Sequence, residues 1–363
     1  MEMPGKIVIR CVNWLGDAVM ATPALMRLRE HFPQAHIAML SPAKLQDLWL
    51  NHPAINEVIA IAPGANPISV GRQLRAKDID LALVLPNSPR SALEVWLAEI
   101  PQRIGYARPW RNWFLTRAVP SRPGHIRMHK RSAAEVRQLI SKPAARETIP
   151  ASAHQVHEYL DLVATLGANP EPVSPTLVVT AEEIETAKRE FRLAERRDGH
   201  SFFGINAGAE YGPAKRWPAN NFISAALKIR ERVPCNWVLF GGLADMSLAS
   251  GIERGIGGDV INLAGRTTLR ELMATLKLCR VLLTNDTGPM HLAAAVGTPV
   301  VVPFGSTSPE LTGPGLPGDS RHRLLKSDAP CSPCFLRECP IDFRCMHGIT
   351  VERVVDAVIS ATQ

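Results

Sequence analysis

The sequence predicts an α/β protein built from two Rossmann-like, doubly wound domains in series, facing a central cleft. Three observations carry this. Short apolar runs alternate with stretches of helical period through the first half, a proline-rich break follows, and the same alternation then restarts. Apolar runs set between amphipathic helices imply parallel strands covered on both faces. Ligands of such sheets bind beyond the carboxyl ends of the strands.

Element by element, "KIVIRCV" (6–12) is a buried strand. "DAVMATPALMRLREHF" (17–32) is a helix, because Ala18, Met20, Ala24, Leu25 and Leu28 share faces at helical spacing. Strands at 36–42, 55–62 and 81–86 then alternate with helices at 43–52 and 70–78. A long helix over 153–168 stops at Gly167. "NPEPVSPTLVV" (169–179) has three prolines and few helix formers, which marks a linker. Beyond it, helices at 181–195, 219–233, 244–256, 268–279 and 288–297 alternate with strands at 202–208, 236–242, 259–265, 281–286 and 299–305. The expected domains are therefore 1–172 and 173–347, followed by a terminal helix within 348–363.

The 363 residues suit two domains, and 46% hydrophobic with 21% charged residues suits a soluble globular chain. No apolar run reaches the roughly 18 residues that a transmembrane helix needs. The N-terminus lacks the apolar core of a signal peptide, so the expected compartment is the cytoplasm. The net charge of +7 and a pI near 9.2 favour an anionic partner: a nucleotide, a nucleic acid or an anionic membrane surface. The charge is uneven. No acid occurs between Glu99 and Glu135, while Arg103, Arg108, Arg111, Arg117, Arg122, Arg127, Lys130 and Arg131 do, with Trp110, Trp113 and Phe114 among them. This interval is either a solvated basic loop or a landing surface for a phosphorylated or membrane-embedded acceptor.

Four strand-to-helix loops carry candidate chemistry. "NWLGDAVMATPAL" (13–25) puts Asp17 where a strand gives way to a helix; it is either a cap or a base facing a substrate. "NAGAEYGPAKRWP" (206–218) is small and glycine-rich, then delivers Lys215 and Arg216, an arrangement suited to phosphate though without P-loop spacing. "FGGLADMS" (240–247) offers Asp245 to ribose hydroxyls or, alternatively, as a helix cap. "TNDTGPMHLAAAVGTP" (284–299) ends a strand at Asp286, turns at Thr287-Gly288, and starts a helix with Pro289 and His291 in its first turn. The helix's positive end suits a diphosphate. No metal-binding acid pair accompanies these loops, so cations and helix ends are expected to serve in place of Mg²⁺, with no metal and no cofactor.

Together with "PCSPCFLRECP", these motifs resemble the ADP-heptose:lipopolysaccharide heptosyltransferases of glycosyltransferase family 9, and among them the heptosyltransferase II group. The resemblance covers nearly the whole chain, with the motifs in order. It implies a GT-B architecture, with the acceptor on the N-terminal domain, the nucleotide sugar on the C-terminal one, and a last helix (348–363) returning to the first domain. It implies ADP-heptose as donor and a Kdo-lipid A type acceptor at the cytoplasmic face of the inner membrane, and no nucleic acid partner. Residue by residue, Asp17 is the implied catalytic base, with Asn13 and Gly16 beside it. Lys215 holds a phosphate, with Gly208, Ala209 and Arg216 on the same loop. Asp286 lies near the sugar, Thr287 and Gly288 give amides to the diphosphate, and His291 follows. Asp245 aligns loosely with a ribose-binding acid. Independently, by position after the first domain's strands and by charge, Arg122 and Arg127 are expected to serve the acceptor. The chemistry agrees: an acceptor hydroxyl attacking an anomeric carbon must lose its proton, and a carboxylate within hydrogen-bond reach removes it. One inverting displacement needs one base, unlike the paired carboxylates of glycosidases.

Seven cysteines are present. Cys11, Cys235 and Cys279 lie in apolar segments and are expected to be buried. Cys331, Cys334, Cys339 and Cys345 leave three readings open: structural zinc, packed reduced thiols, or redox-sensitive pairs. Other functions remain in view at this level: heptosyltransferase I, a GT-B-like nucleotide-sugar epimerase, or a nucleic-acid-binding protein with a zinc module.

Overall fold

The computed structural model describes residues 3–143, 148–195, 200–258 and 260–363. Asp259, where the strand expected at 259–265 begins, lies outside them. The chain divides into two compact units: Met1–His125 with Gln155–Val178, and Ile126–His154 with Val179–Gln363.

The first unit runs β1 (Lys6–Arg10), α1 (Leu15–Met20), α2 (Thr22–His31), β2 (His36–Pro42), β3 (Glu57–Ile61), α3 (Pro67–Arg75), β4 (Leu81–Val84), α4 (Pro89–Leu97), β5 (Gln102–Tyr106) and β6 (Arg117–Val119). The strands are all parallel, in the order β3-β2-β1-β4-β5-β6. Every residue of β4 is buried, as a central parallel strand requires. One core layer joins Val8, Leu40, Ala82 and Val84 to Val70, Leu74, Ala92 and Val95 of α3 and α4. Gly71 lets those two helices touch, since a Cβ there would lie 2.7 Å from that of Leu97. The helix expected at 43–52 is a 3₁₀ helix, Ala43–Trp49.

The chain then enters the second unit with α5 (Ala133–Ser141) and returns to the first with α6 (Val156–Ala164), which packs on α2. The second unit continues with α7 (Ala181–Glu190), β7 (Ser201–Asn206), α8 (Ala219–Arg232), β8 (Cys235–Phe240), α9 (Met246–Ile256), β9 (Val260–Asn262), α10 (Leu269–Leu278), β10 (Cys279–Thr284), α11 (Gly288–Ala295), β11 (Val300–Phe304), α12 (Pro309–Thr312), β12 (Arg323–Lys326), α13 (Arg344–His347) and α14 (Val351–Ala361). Its strands are again parallel, in the order β12-β11-β10-β7-β8-β9. Counted from its own first strand, this is the same 3-2-1-4-5-6 order as in the first unit. Each sheet therefore reverses direction beside its first strand, at β1/β4 and at β7/β10, and these switch points are where such sheets bind ligands.

Two expectations about organisation are corrected. The last helix, expected to return to the first domain, groups with the second unit. Val354, Val355, Ala357 and Val358 of α14 are buried in one cluster with Ala225, Ala226 and Ile229 of α8, and α14 also lies against β10, β11 and β12. The segment from Ile126 to His154 belongs with the second unit although it was placed in the first. Val136 of α5 sits in the second unit's core, and Arg131 donates Nη1–H to the Cys331 carbonyl at 2.9 Å.

Candidate active site

At the first unit's switch point, β1 delivers Arg10, and the chain turns through Asn13 and Trp14 into α1. Arg10 is buried against Glu94 of α4, Nε to Oε2 at 2.7 Å. Its Nη1 also donates to the Cys11 carbonyl and, at 3.5 Å, to Asn13 Oδ1. A buried guanidinium thus holds the turn that carries Asn13. Trp14 is the N-cap of α1, and no side chain caps that helix. Gly16 and Asp17 lie in its first turn, so Asp17 is favoured by the helix dipole without being the cap. One Asp17 oxygen accepts from the Gln155 side-chain amide at 3.0 Å, and the same amide reaches Tyr159 Oη at 2.9 Å. Burial, with Asp17's charge behind it, pushes the Tyr159 phenol well above its ordinary pKa, so it is protonated at neutral pH.

At the second unit's switch point, three loops meet. Asn285, just past β10, ties them together: its Nδ2 donates to the Ala207 carbonyl at 2.7 Å, and its Oδ1 accepts from Trp217 N at 2.9 Å. Between those anchors the loop swings out and brings Lys215 Nζ to 2.6 Å from Asp286 Oδ2. The Asp286 carboxylate also accepts from the Thr307 hydroxyl, which follows β11. The ammonium lies 4.9 Å over the Tyr211 ring. Arg216 donates to the Ala209 carbonyl at 3.3 Å. Thr287 is the N-cap of α11 and Gly288 its first residue. His291 is buried one turn along. Burial holds its pKa down at about 4 against the opposing pull of Asp286, so it is neutral near pH 7.

Asp245 does not cap α9 with its side chain. It is the residue at the N-cap position of α9, but its carboxylate instead accepts from Gly242 N at 3.0 Å. The glycine of the neighbouring loop makes room for it, because a Cβ on Gly208 would lie 2.4 Å from Asp245 Oδ2. Asp245 is thus brought against Gly208 of the Lys215 loop.

The basic interval is mostly spent on the fold. Arg103 donates to the carbonyls of Phe114 and Ile100, Arg117 to that of Thr165, and the buried Arg111 to that of Pro86. Arg122 lies 3.6 Å from Glu158, which also receives His125 at 2.8 Å. Arg127 stands in the second unit, beside a cavity of about 660 Å³ that Arg131 and Lys326 also line. The reading of the interval as a freely solvated loop is therefore corrected: its guanidiniums are scattered and largely bonded. Loops without ladder partners leave carbonyls to satisfy, and arginine satisfies them.

The four late cysteines line one small cavity as free thiols, and burial raises Cys331, Cys334 and Cys345, the last to about 12. Among the described residues no group of three or more His, Cys, Asp or Glu side chains is arranged to hold a metal. The segment they belong to braces the Lys215 loop. Ala214 N donates to the Arg337 carbonyl at 3.0 Å, and Tyr211 Oη donates to the Phe335 carbonyl at 2.7 Å. Gly212, at φ +150°, is required there, since a Cβ would lie 2.5 Å from the Arg337 oxygen.

The sequence profile of Glycosyltransferase family 9 (heptosyltransferase) matches residues 68–343. The chain belongs to glycosyltransferase family 9. As a family 9 glycosyltransferase it is 31% identical over 320 residues to lipopolysaccharide heptosyltransferase 2 of Salmonella typhimurium, covering 85% of each chain. It is 27% identical to lipooligosaccharide heptosyltransferase 2 of Campylobacter jejuni, over 97% of this chain and 96% of that one. Its structure resembles that of E. coli ADP-heptose lipopolysaccharide heptosyltransferase II, with a TM-score of 0.77, 26% identity and 98% of each chain covered. The expected α/β GT-B class of two Rossmann-like domains is therefore borne out, as is the expected glycosyltransferase.

Reasoning from sequence placed Lys215, Arg216, Asp286, Thr287, Gly288 and His291 on loops that the fold gathers at β7/β10. It missed Gln155, Asn285, Tyr211 and Thr307. Thr307 had a usable signal, since "STSPEL" follows a predicted strand as the other site loops do. Gln155 sits inside a helical stretch and carried none.

Proposed function

We propose that this glycosyltransferase moves L-glycero-D-manno-heptose from ADP-heptose to the lipopolysaccharide inner core, adding the second heptose to heptosyl-Kdo-lipid A with inversion, at the cytoplasmic face of the inner membrane. The observation that carries the reading is the likeness, along most of the chain, to lipopolysaccharide heptosyltransferase 2, with carboxylate and ammonium at the two switch points.

In this reading Asp17 accepts the acceptor hydroxyl's proton as oxygen bonds to the anomeric carbon. The bond from that carbon to the phosphate oxygen breaks, and its electron pair leaves with ADP. The Gln155 amide fixes one Asp17 oxygen, which orients the carboxylate. Lys215 and the start of α11 receive the diphosphate and its growing charge. Asp286 holds Lys215 ready before the donor arrives, and the diphosphate then competes for the ammonium. Neutral His291 supports α11's first turn without adding a second cation. Gly208, Ala209 and Asp245 face the nucleoside, and Asn13, Gly16, Arg122 and Arg127 belong to the acceptor side.

Incubation with ADP-heptose and either heptose-free or monoheptosylated Kdo-lipid A, followed by mass analysis, tests this. One added heptose on the monoheptosylated acceptor alone is expected. Addition only to the heptose-free acceptor reassigns the chain to the first transfer, and no addition to either removes the reading.

A further inference from the structure

We propose that the turn joining β5 to β6 is an interfacial anchor that seats Trp110 and Trp113 in the headgroup layer of an anionic bilayer. The inference rests on the reading of a lipid-borne acceptor. Trp110 and Trp113 are 82% and 86% exposed, more than any other large apolar side chain among the buried and exposed residues described. Trp96 beside them is 44% exposed and meets Phe114 with tilted rings, centroids 5.7 Å apart.

These indoles are not exposed because the loop is loose. Arg111 lies between them and is fully buried, with Nη1 donating to Pro86 O at 2.8 Å and Asn87 Oδ1 at 3.1 Å. Gly105 makes the space for it, since a Cβ there would lie 2.7 Å from Arg111 Nη2. Asn112 Oδ1 accepts from Arg108 N at 2.9 Å, and Leu115 is buried against the first unit's core. Trp110 itself is held at φ +64°, a conformation unfavourable for a bulky side chain. The backbone is thus pinned on both sides of each indole, and the pinning turns both outward.

Tryptophan has an apolar body and one N–H donor, and it concentrates at membrane–water interfaces for that reason. Charge points to the same occupant. No acid occurs from residue 100 to 134, and Arg108 and Arg117 flank the turn. An anionic leaflet attracts each such cation by roughly fivefold in affinity. Stable attachment without a spanning helix needs two signals of this kind, apolar and electrostatic.

The test is co-sedimentation of the full chain with vesicles of phosphatidylethanolamine and phosphatidylglycerol, compared with phosphatidylcholine alone. The wild type is expected to bind the anionic vesicles, with indole emission quenched by brominated lipid. Trp110→Ser with Trp113→Ser is expected to weaken that binding about tenfold or more, with unchanged melting temperature and unchanged transfer to a delipidated, water-soluble acceptor. Retained vesicle binding in the double variant, no binding by the wild type, or a lowered melting temperature overturns the proposal. So does concentration-dependent self-association that the double variant abolishes. Vesicle binding needs no sugar transfer, so an inactive chain that still binds vesicles would sink the transferase reading alone.

Discussion

The two units repeat one strand order, yet they hold their carboxylates differently. In the first, Asp17 is addressed by a neutral amide from Gln155, beside the protonated Tyr159. In the second, Asp286 is gripped by the Lys215 ammonium and the Thr307 hydroxyl. The Asp286 carboxylate positions the Lys215 cation. In the proposed reading the same switch-point geometry serves proton transfer in one unit and anion binding in the other.

The sharpest way to break this contrast is Asp17→Asn. The change keeps shape and removes the base, so turnover should fall by roughly 10²–10⁴-fold with donor affinity nearly intact. Wild-type turnover in steady-state assays would make Asp17 a first-turn acid and nothing more.

Lys215→Ala comes next, with a loss of roughly 10²–10³-fold in turnover and a raised KM for ADP-heptose, because the cation meets both bound and departing diphosphate. It also leaves Asp286 buried and unpaired by Lys215, which typically costs about 3–5 kcal/mol of stability. Asp286→Asn alongside Lys215→Ala should restore much of the stability and none of the activity. Calorimetry showing unchanged ADP affinity in Lys215→Ala would end the division of labour drawn above.

Gln155→Leu sharpens the comparison more gently. Turnover should fall about tenfold, and the acid limb of the pH–rate profile should move to higher pH, since a hydrogen bond to the charged carboxylate is lost. A merely structural role would lower the melting temperature and leave that limb in place.

The smallest effect concerns pH. Burial holds His291 and His322 of the second unit, and His52 of the first, at about 4. Unfolded histidine titrates near 6.5. Between those values the unfolded chain binds more protons, so stability is intact above about pH 6.5 and falls as pH drops toward 4, by about 1.4 kcal/mol per unit for each histidine. Hydrogen exchange followed across this window should show the second unit's core losing protection more steeply than the first's. Equal slopes would contradict the assignment.

The strand ends were legible because apolar period and glycine-rich turns are local signals, and they located both switch points. What a buried face packs against is not local. The stripe of α14 announced a covered face, but only the fold shows that α8 and the second sheet cover it. The arginines misled for a related reason. A guanidinium bound to a main-chain carbonyl looks, in sequence, the same as one facing water, so Arg111 and Arg131 read as surface charge. The Gln155–Asp17 contact spans 138 residues, from the N-cap of α6 to α1, and no motif marks Gln155.

The loop of chain from Ile126 to His154 also has a history during synthesis. It leaves the ribosome early, yet the carbonyl that receives Arg131 belongs to a residue 200 positions later. At about 5–20 residues per second, that delay is roughly 10–40 s. Through that interval Val136 lacks part of its core, because Cys331, Cys334, Met346 and Val354 are made later. Until those residues emerge, the apolar face of α5 is incompletely covered in the nascent chain.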